Sequence, residues 1–174
     1  MKKENQGFVV WLTGLSGAGK STLAQKLVLY YRKQGRRVEH LDGDVIRGIF
    51  PSGFTRRERE EHLRRIGFVA SLLERHQVIV VASFISPYRE SRMEVRGMCR
   101  RFIEVFVNAS LEACEQRDTK GLYRRARSGE IKNFTGIDDP YEAPQSPEII
   151  VKTEGVSAEE SFLDLLARIS RLKI

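Results

Sequence analysis

Cysteine is scarce in this 174-residue chain, and the two that occur, Cys99 and Cys114, stand apart without a CxxC pair or a neighbouring histidine cluster. That scarcity excludes a disulfide framework and a cysteine-based zinc site, and buried thiols are the plain expectation. No apolar run approaches the ~20 residues that a helix needs to cross a bilayer, and the opening MKKENQG is too short and polar for a signal peptide. A cytoplasmic protein without a membrane partner is therefore expected. Repeats, low-complexity tracts and linker-like shifts in composition are missing too, so one domain spanning residues 1–174 is expected. Neither sign of charge dominates: 30 Lys plus Arg face 23 Asp plus Glu, a net +7. Such an excess attracts either nucleic acid or small anions. Many of the basic residues sit beside acids, as in RRERE and RSGEIK, which is the pattern of a solvated mixed surface, and no nucleic-acid partner is expected.

What is present is an alternation. Five short runs rich in β-branched and aromatic residues read as strands: FVVWLT (8–13), VEHLD (38–42), VIVVASF (78–84), IEVFVN (103–108) and EIIVKT (148–153). Helical spacing separates them, with Leu23, Leu27 and Tyr30 or Tyr31 after the first strand. Thr55 with Glu58 opens a helix whose inner face is Leu63, Ile66, Ala70 and Leu73, and Ser157 with Glu160 opens another carrying Phe162, Leu165, Leu166 and Ile169. Alternating β and α elements predict an α/β fold, a parallel sheet covered by helices on both faces, with ligands beyond the strands' carboxyl ends. Residues 119–147 have weak helical signals at first, then Gly, Pro and polar residues. Their basic and aromatic content favours a mobile lid over a nucleotide site, with simple disorder as the alternative.

Between the first strand and its helix lies Gly14-Leu15-Ser16-Gly17-Ala18-Gly19-Lys20-Ser21-Thr22, which satisfies G-x-x-x-x-G-K-[ST]. Glycines let peptide N–H groups curl round phosphates, Lys20 reaches the β- and γ-phosphates from what reads as an exposed helix start, and Ser21 is a candidate ligand of Mg²⁺. A GTPase would be expected to offer N-K-x-D, which is absent. The acid that ATP-driven motors usually carry after a second apolar strand is missing as well, since VIVVASF ends in Ser83 and Phe84. The carboxylate must come from LDGD, where Asp42 at the strand end suits the water shell of Mg²⁺ and Asp44 suits contact with an acceptor hydroxyl. For either residue taken alone, an Asx-turn role is an equal alternative. Beyond Asp44, Arg47, Phe54 and Arg59 alternate basic and aromatic character, as a seat for an anionic nucleotide would. By composition alone, solvation explains Arg56, Arg57, Arg64 and Arg65 better, and Arg59 equally well.

GLSGAGKST, LDGD, GFTRREREEHLRRIG, ASFISPYR and CEQRDTKGLYRRARSGEIKNFTGIDDPYEAP together, in order and spacing, closely resemble the adenylylsulfate kinase family over nearly the whole chain. The resemblance implies a P-loop kinase fold with five parallel strands in the order 2-3-1-4-5. It implies transfer of the ATP γ-phosphate to the ribose 3′-hydroxyl of adenylyl sulfate. Asp44 matches the family's acid at the acceptor ribose, Arg47 and Arg59 its anion-holding arginines, and Phe54 and Phe134 the rings that sandwich the acceptor adenine. Ile85 and Ser86 fall on a substrate-lining turn, Ser86 being where some relatives have a phosphorylatable serine. Lys120 falls on a substrate-contacting lysine, and Arg117 is expected near the ATP adenine. One departure stands out, because His62 replaces an amide that contacts substrate in the family and cannot reproduce its two-sided geometry. A homodimer, and association or fusion with ATP sulfurylase, are compatible with the resemblance. Two alternatives stay open: another small-metabolite or nucleotide kinase on the same architecture, and a nucleotide-dependent binding or regulatory module.

Overall fold

The computed structural model describes residues 6–172, so the first five residues of the MKKENQG stretch, and the reading made on them, lie outside the described residues. Five strands, β1 (Val9–Thr13), β2 (Val38–Asp42), β3 (Ile79–Ser83), β4 (Phe102–Asn108) and β5 (Ile149–Lys152), form one parallel sheet in the order β2-β3-β1-β4-β5. Each matches an expected run to within two residues. Seven helices connect or follow them: α1 (Lys20–Lys33), α2 (Gly43–Ile49), α3 (Arg56–Arg75), α4 (Arg89–Met98), α5 (Leu111–Arg117), α6 (Leu122–Arg127) and α7 (Ala158–Arg171).

The central strands β1 and β3 are buried throughout, as parallel strands covered on both faces must be. The pleat divides their side chains between two cores. Val9, Trp11, Val80 and Ala82 pack with Leu63, Ile66 and Ala70 of α3 and Val95 of α4. Val10, Leu12 and Val81 pack with Leu23 and Leu27 of α1 and Leu165 and Ile169 of α7. Truncating any of these leucines to alanine removes roughly 2–5 kcal/mol. Both expected capping boxes form, at Thr55 with Glu58 and at Ser157 with Glu160. The polar face of α3 is solvated as its composition suggested, and Arg56 pairs with Glu60 at 2.7 Å and Arg65 with Glu61 at 2.6 Å. Cys114 is buried as expected, whereas Cys99, just beyond α4, is only half-buried. No helix among the described residues is long and apolar enough to cross a membrane.

Residues 119–147 are more ordered than their composition suggests. Their weak helical signal becomes α6, started by the Asp118 carboxylate, which accepts hydrogen bonds from the Tyr123 and Arg124 amides at 3.1 Å each. Farther on, Asp138 accepts from the Asn133 and Phe134 amides, and Tyr88 donates to Asp139 at 2.9 Å. The segment is fastened again where the Glu142 amide donates to Pro87 O at 2.8 Å and the buried Arg92 donates to Glu142 O at 2.6 Å.

Candidate active site

The strand-to-helix turn after β1 needs its glycines for two different reasons. A Cβ on Gly14 would lie 2.5 Å from Val107 O, while Gly19, at the start of α1, has a φ of 100° that L side chains rarely adopt. Every carbonyl from Gly14 to Ala18 accepts a side-chain hydrogen bond. Lys20 Nζ donates to Gly14 O at 3.0 Å and Leu15 O at 2.7 Å, Tyr123 Oη to Ser16 O at 2.8 Å, Arg117 to Gly17 O at 3.1 Å and Thr153 Oγ1 to Ala18 O at 2.7 Å. Because a peptide's N–H points opposite to its C=O, each carbonyl so held fixes the direction of the following amide, and successive amides in such a turn stabilise an anion. Lys20 is 8% exposed, which corrects the expectation of an exposed helix start. Burial lowers its pKa to about 8.

Beside the loop, Ser21 Oγ and Ser83 Oγ donate to Asp42 Oδ2 at 2.9 and 3.0 Å. Its Oδ1 caps α2, accepting from the Asp44 and Val45 amides at 3.0 and 3.3 Å. The turn-forming alternative is thus realised at Asp42, together with a link to Ser21. Burial pushes the Asp42 carboxyl up, but the four hydrogen bonds outweigh it and hold the group below its ordinary range. Asp44 is exposed and forms an ion pair with Lys120, which reaches over from the segment that follows α5.

Two cavities flank Lys20. The first, of about 390 Å³, is lined by the phosphate-loop residues Ser16, Gly17, Gly19, Ser21 and Thr22 and by Arg117. Thr153, Val156, Ala158 and Ser161, from the β5–α7 connection, close it. None of those four was singled out in the sequence, where the only signal was the Ser157–Glu160 helix start. Gly14, Leu15, Ala18 and Asp42 line neither cavity: the first three shape the loop and Asp42 stands behind Ser21.

The second cavity, of about 290 Å³, gathers Asp44, Arg47, Phe54, Arg59, His62 and Phe134, with Ile85 and Ser86 on its floor. The Arg47 and Arg59 guanidinium groups lie 4.7 and 5.5 Å from the Phe54 ring centre. Arg59 is buried and already donates to Phe54 O at 2.9 Å, Thr135 Oγ1 at 3.0 Å and Asn133 O, so it ties the Phe54 turn to the segment that carries Phe134. His62 Nε2 is buried with no partner among the described residues. Burial, then Arg47 and Arg65, lower its pKa. Ser86 is buried, and its hydroxyl accepts from Trp11 Nε1 at 3.1 Å and donates to Thr13 Oγ1 at 3.0 Å, so a modifying enzyme cannot reach it in this conformation. Ser16, Lys20, Ser21 and Lys120 belong to both cavities. The arrangement opens two cavities onto one lysine, with an acid and a hydroxyl beside it.

A family profile described as adenylylsulphate kinase matches residues 6–152. The chain is 54% identical over 171 residues to adenylyl-sulfate kinase of Gloeothece citriformis, covering 97% of each, and 53% identical over 171 residues to that of Microcystis aeruginosa, covering 97% of this chain and 94% of the relative. Among solved structures, the Mycobacterium tuberculosis APS kinase CysC in complex with AMPPNP and APS superposes with a TM-score of 0.89 at 38% identity, covering 95% of this chain and 98% of that one. The hexameric APS kinase from Thiobacillus denitrificans gives a TM-score of 0.72 at 34% identity, covering 96% of this chain and 29% of that one. With strands in the order 2-3-1-4-5, a phosphate loop after the first of them and that degree of identity over nearly its whole length, the chain belongs to the adenylylsulfate kinase family.

Proposed function

We propose that this chain transfers the γ-phosphate of ATP to the ribose 3′-hydroxyl of adenylyl sulfate, giving ADP and 3′-phosphoadenylyl sulfate. The observation that carries this reading is the pair of cavities meeting at Lys20 and Ser21. In-line phosphoryl transfer needs the donor and acceptor oxygens on opposite sides of one electrostatically prepared point and little covalent chemistry besides. ATP occupies the larger cavity, its adenine toward Arg117 and Val156 and its phosphates on the loop amides. The acceptor adenine sits between Phe54 and Phe134, with Arg47 and Arg59 supplying positive field for its phosphosulfate. Lys120 leaves Asp44 for an anionic oxygen of the ligands, and Asp44 then orients the 3′-hydroxyl and takes its proton. Residues 119–147 act as the lid of a single kinase domain and exclude water that would compete for the γ-phosphate.

The Ser21 hydroxyl beside the Asp42 carboxylate fits a magnesium ion, a hard-oxygen pair next to the phosphate loop. No group of three or more His, Cys, Asp or Glu side chains suited to a metal occurs among the described residues, so the nucleotide's own phosphates would complete the shell. Bound there, Mg²⁺ would neutralise charge on the transferring group. A homodimer, and association or fusion with ATP sulfurylase, are compatible with this proposal, and light scattering of the purified chain decides the first. The functional test is an acceptor screen with ATP and Mg²⁺ that follows ADP release. Turnover with adenylyl sulfate and none with gluconate or plain nucleosides is expected, and turnover with another acceptor alone overturns the reading.

A further inference from the structure

Of the four side chains that hold the phosphate-loop carbonyls, three belong to the donor half of the site: Lys20 from the loop itself, Arg117 from α5 and Thr153 after β5. The fourth, Tyr123, belongs to the segment that also carries Phe134. Its ring is 2% exposed and meets the Phe134 ring edge-on, with centroids 5.1 Å apart at 80°. Its hydroxyl donates to Ser16 O at 2.8 Å, and Ser16 borders both cavities. We infer that Tyr123 is a positioning residue that couples occupancy of the acceptor seat to the geometry of the phosphate loop, an inference that rests on the function proposed above.

Three features make the linkage mechanical rather than incidental. Asp118 holds the Tyr123 and Arg124 amides, so the ring enters from a pinned helix start. Aromatic edge-to-face pairs are close-packed, so an adenine that presses on the outer side of Phe134 moves Tyr123 or is resisted by it. At the far end of that same ring, a hydrogen bond weakens steeply with distance and angle, and the Ser16 carbonyl it holds sets the direction of the Gly17 amide that faces the phosphates. Burial and the neighbouring Cys114 push the phenol well above its ordinary value, so the hydroxyl remains a donor throughout the working pH range. A displacement at the acceptor ring thereby reaches an amide at the donor phosphates through one rigid side chain.

The test uses Tyr123→Phe in the full chain, which keeps the ring against Phe134 and deletes the hydroxyl that donates to Ser16 O and also neighbours the Cys114 thiol. Affinity for AMPPNP is measured by calorimetry with and without saturating adenylyl sulfate, and affinity for adenylyl sulfate is measured alone. In the unmodified protein the acceptor should change AMPPNP affinity by about 2- to 10-fold, the scale of one net hydrogen bond. In Tyr123→Phe that ratio should fall to about 1, with adenylyl sulfate binding alone altered less than about 2-fold. If the variant does not fold, Phe134→Leu, which leaves the phenol on Ser16 and removes the ring contact, should bring the same ratio to about 1 at whatever acceptor affinity remains. An unchanged ratio in the variant, or a ratio of 1 in the unmodified protein, overturns the inference while turnover of adenylyl sulfate stands. Failure of the unmodified protein to bind or phosphorylate adenylyl sulfate overturns the proposed function, and the inference with it.

Discussion

Replacing Asp42 and Asp44 separately by asparagine distinguishes a carboxylate that builds the site from one that acts in it. At Asp42 the amide oxygen of asparagine can still cap α2. The amide nitrogen, taking the place of Oδ2, donates where Ser21 and Ser83 need an acceptor. Two hydrogen bonds at about 0.5–1.5 kcal/mol each amount to roughly 1–3 kcal/mol. For a chain of this size, ~2 kcal/mol corresponds to a melting temperature lower by about 4–8 °C. Asp44 is exposed, and its pair with Lys120 is worth ~0–1 kcal/mol, so Asp44→Asn should melt within about 3 °C of the unmodified protein. Catalysis should invert that order: Asp44→Asn should keep shape and substrate binding but lower kcat by ~10² to 10⁴, since it removes the proposed proton acceptor for the attacking hydroxyl. The assay pairs thermal melts with a Mg²⁺ titration of 3′-phosphoadenylyl sulfate production. Excess Mg²⁺ should partly relieve Asp42→Asn and leave Asp44→Asn unchanged. Rescue of Asp44→Asn alone reverses the two roles, full activity in both removes the pair from the mechanism, and a melt of Asp44→Asn as low as that of Asp42→Asn refutes the hydrogen-bond accounting.

Lys20→Ala should abolish transfer while lowering the melting temperature little, because the buried ammonium it removes was costly to bury; turnover with normal ATP affinity would sink the phosphate-loop assignment. Phe54→Ala should raise the KM for adenylyl sulfate by the ~1–3 kcal/mol of a lost stacking ring without changing ATP binding measured alone. Arg59→Ala should do the same and also lower the melting temperature, since it cuts the tie between the Phe54 turn and Thr135; a kinetic effect equal on both nucleotides would place these residues wrongly. His62 titrates below its ordinary 6.5, so on acidification the unfolded chain takes up the proton first and stability falls through the window below pH 6.5. His62→Asn should flatten that part of the stability profile, and an unchanged acid slope would mean that another group causes it.

The central strands β1 and β3 could be read from the chain because each carries a dense apolar run that its burial on two faces demands, the edge strands β2 and β5 are only partly buried and showed as shorter apolar patterns, and α3 and α7 are announced by a capping box and a wide apolar stripe. The helix α2 sends no such signal, since none of its residues is buried and no stripe marks it. The residues of the second cavity were legible as types in a pattern: rings and guanidinium groups, few of which the core would otherwise need. The wall of the first cavity was not, because Thr153, Val156, Ala158 and Ser161 are ordinary residues whose position, not chemistry, brings them to the cavity beside the phosphate loop. Lys20 shows the limit from the other side, for its identity was plain while its burial depends on carbonyls that only the folded loop presents.

The segment proposed as a lid is fastened at Tyr123, at Asp138 and Asp139, and at Glu142, which makes it a strap riveted at several points rather than a door on one hinge. A door exchanges its ligands by swinging clear, and its tip travels farthest. A riveted strap can only bow, and its most solvent-exposed stretch, Arg127 to Lys132, is itself tied back to α6 by the Glu130 and Ile131 amides on Arg125 O. A ligand of the second cavity would then exchange sideways past the exposed Lys120, with no swing of the segment that carries Phe134.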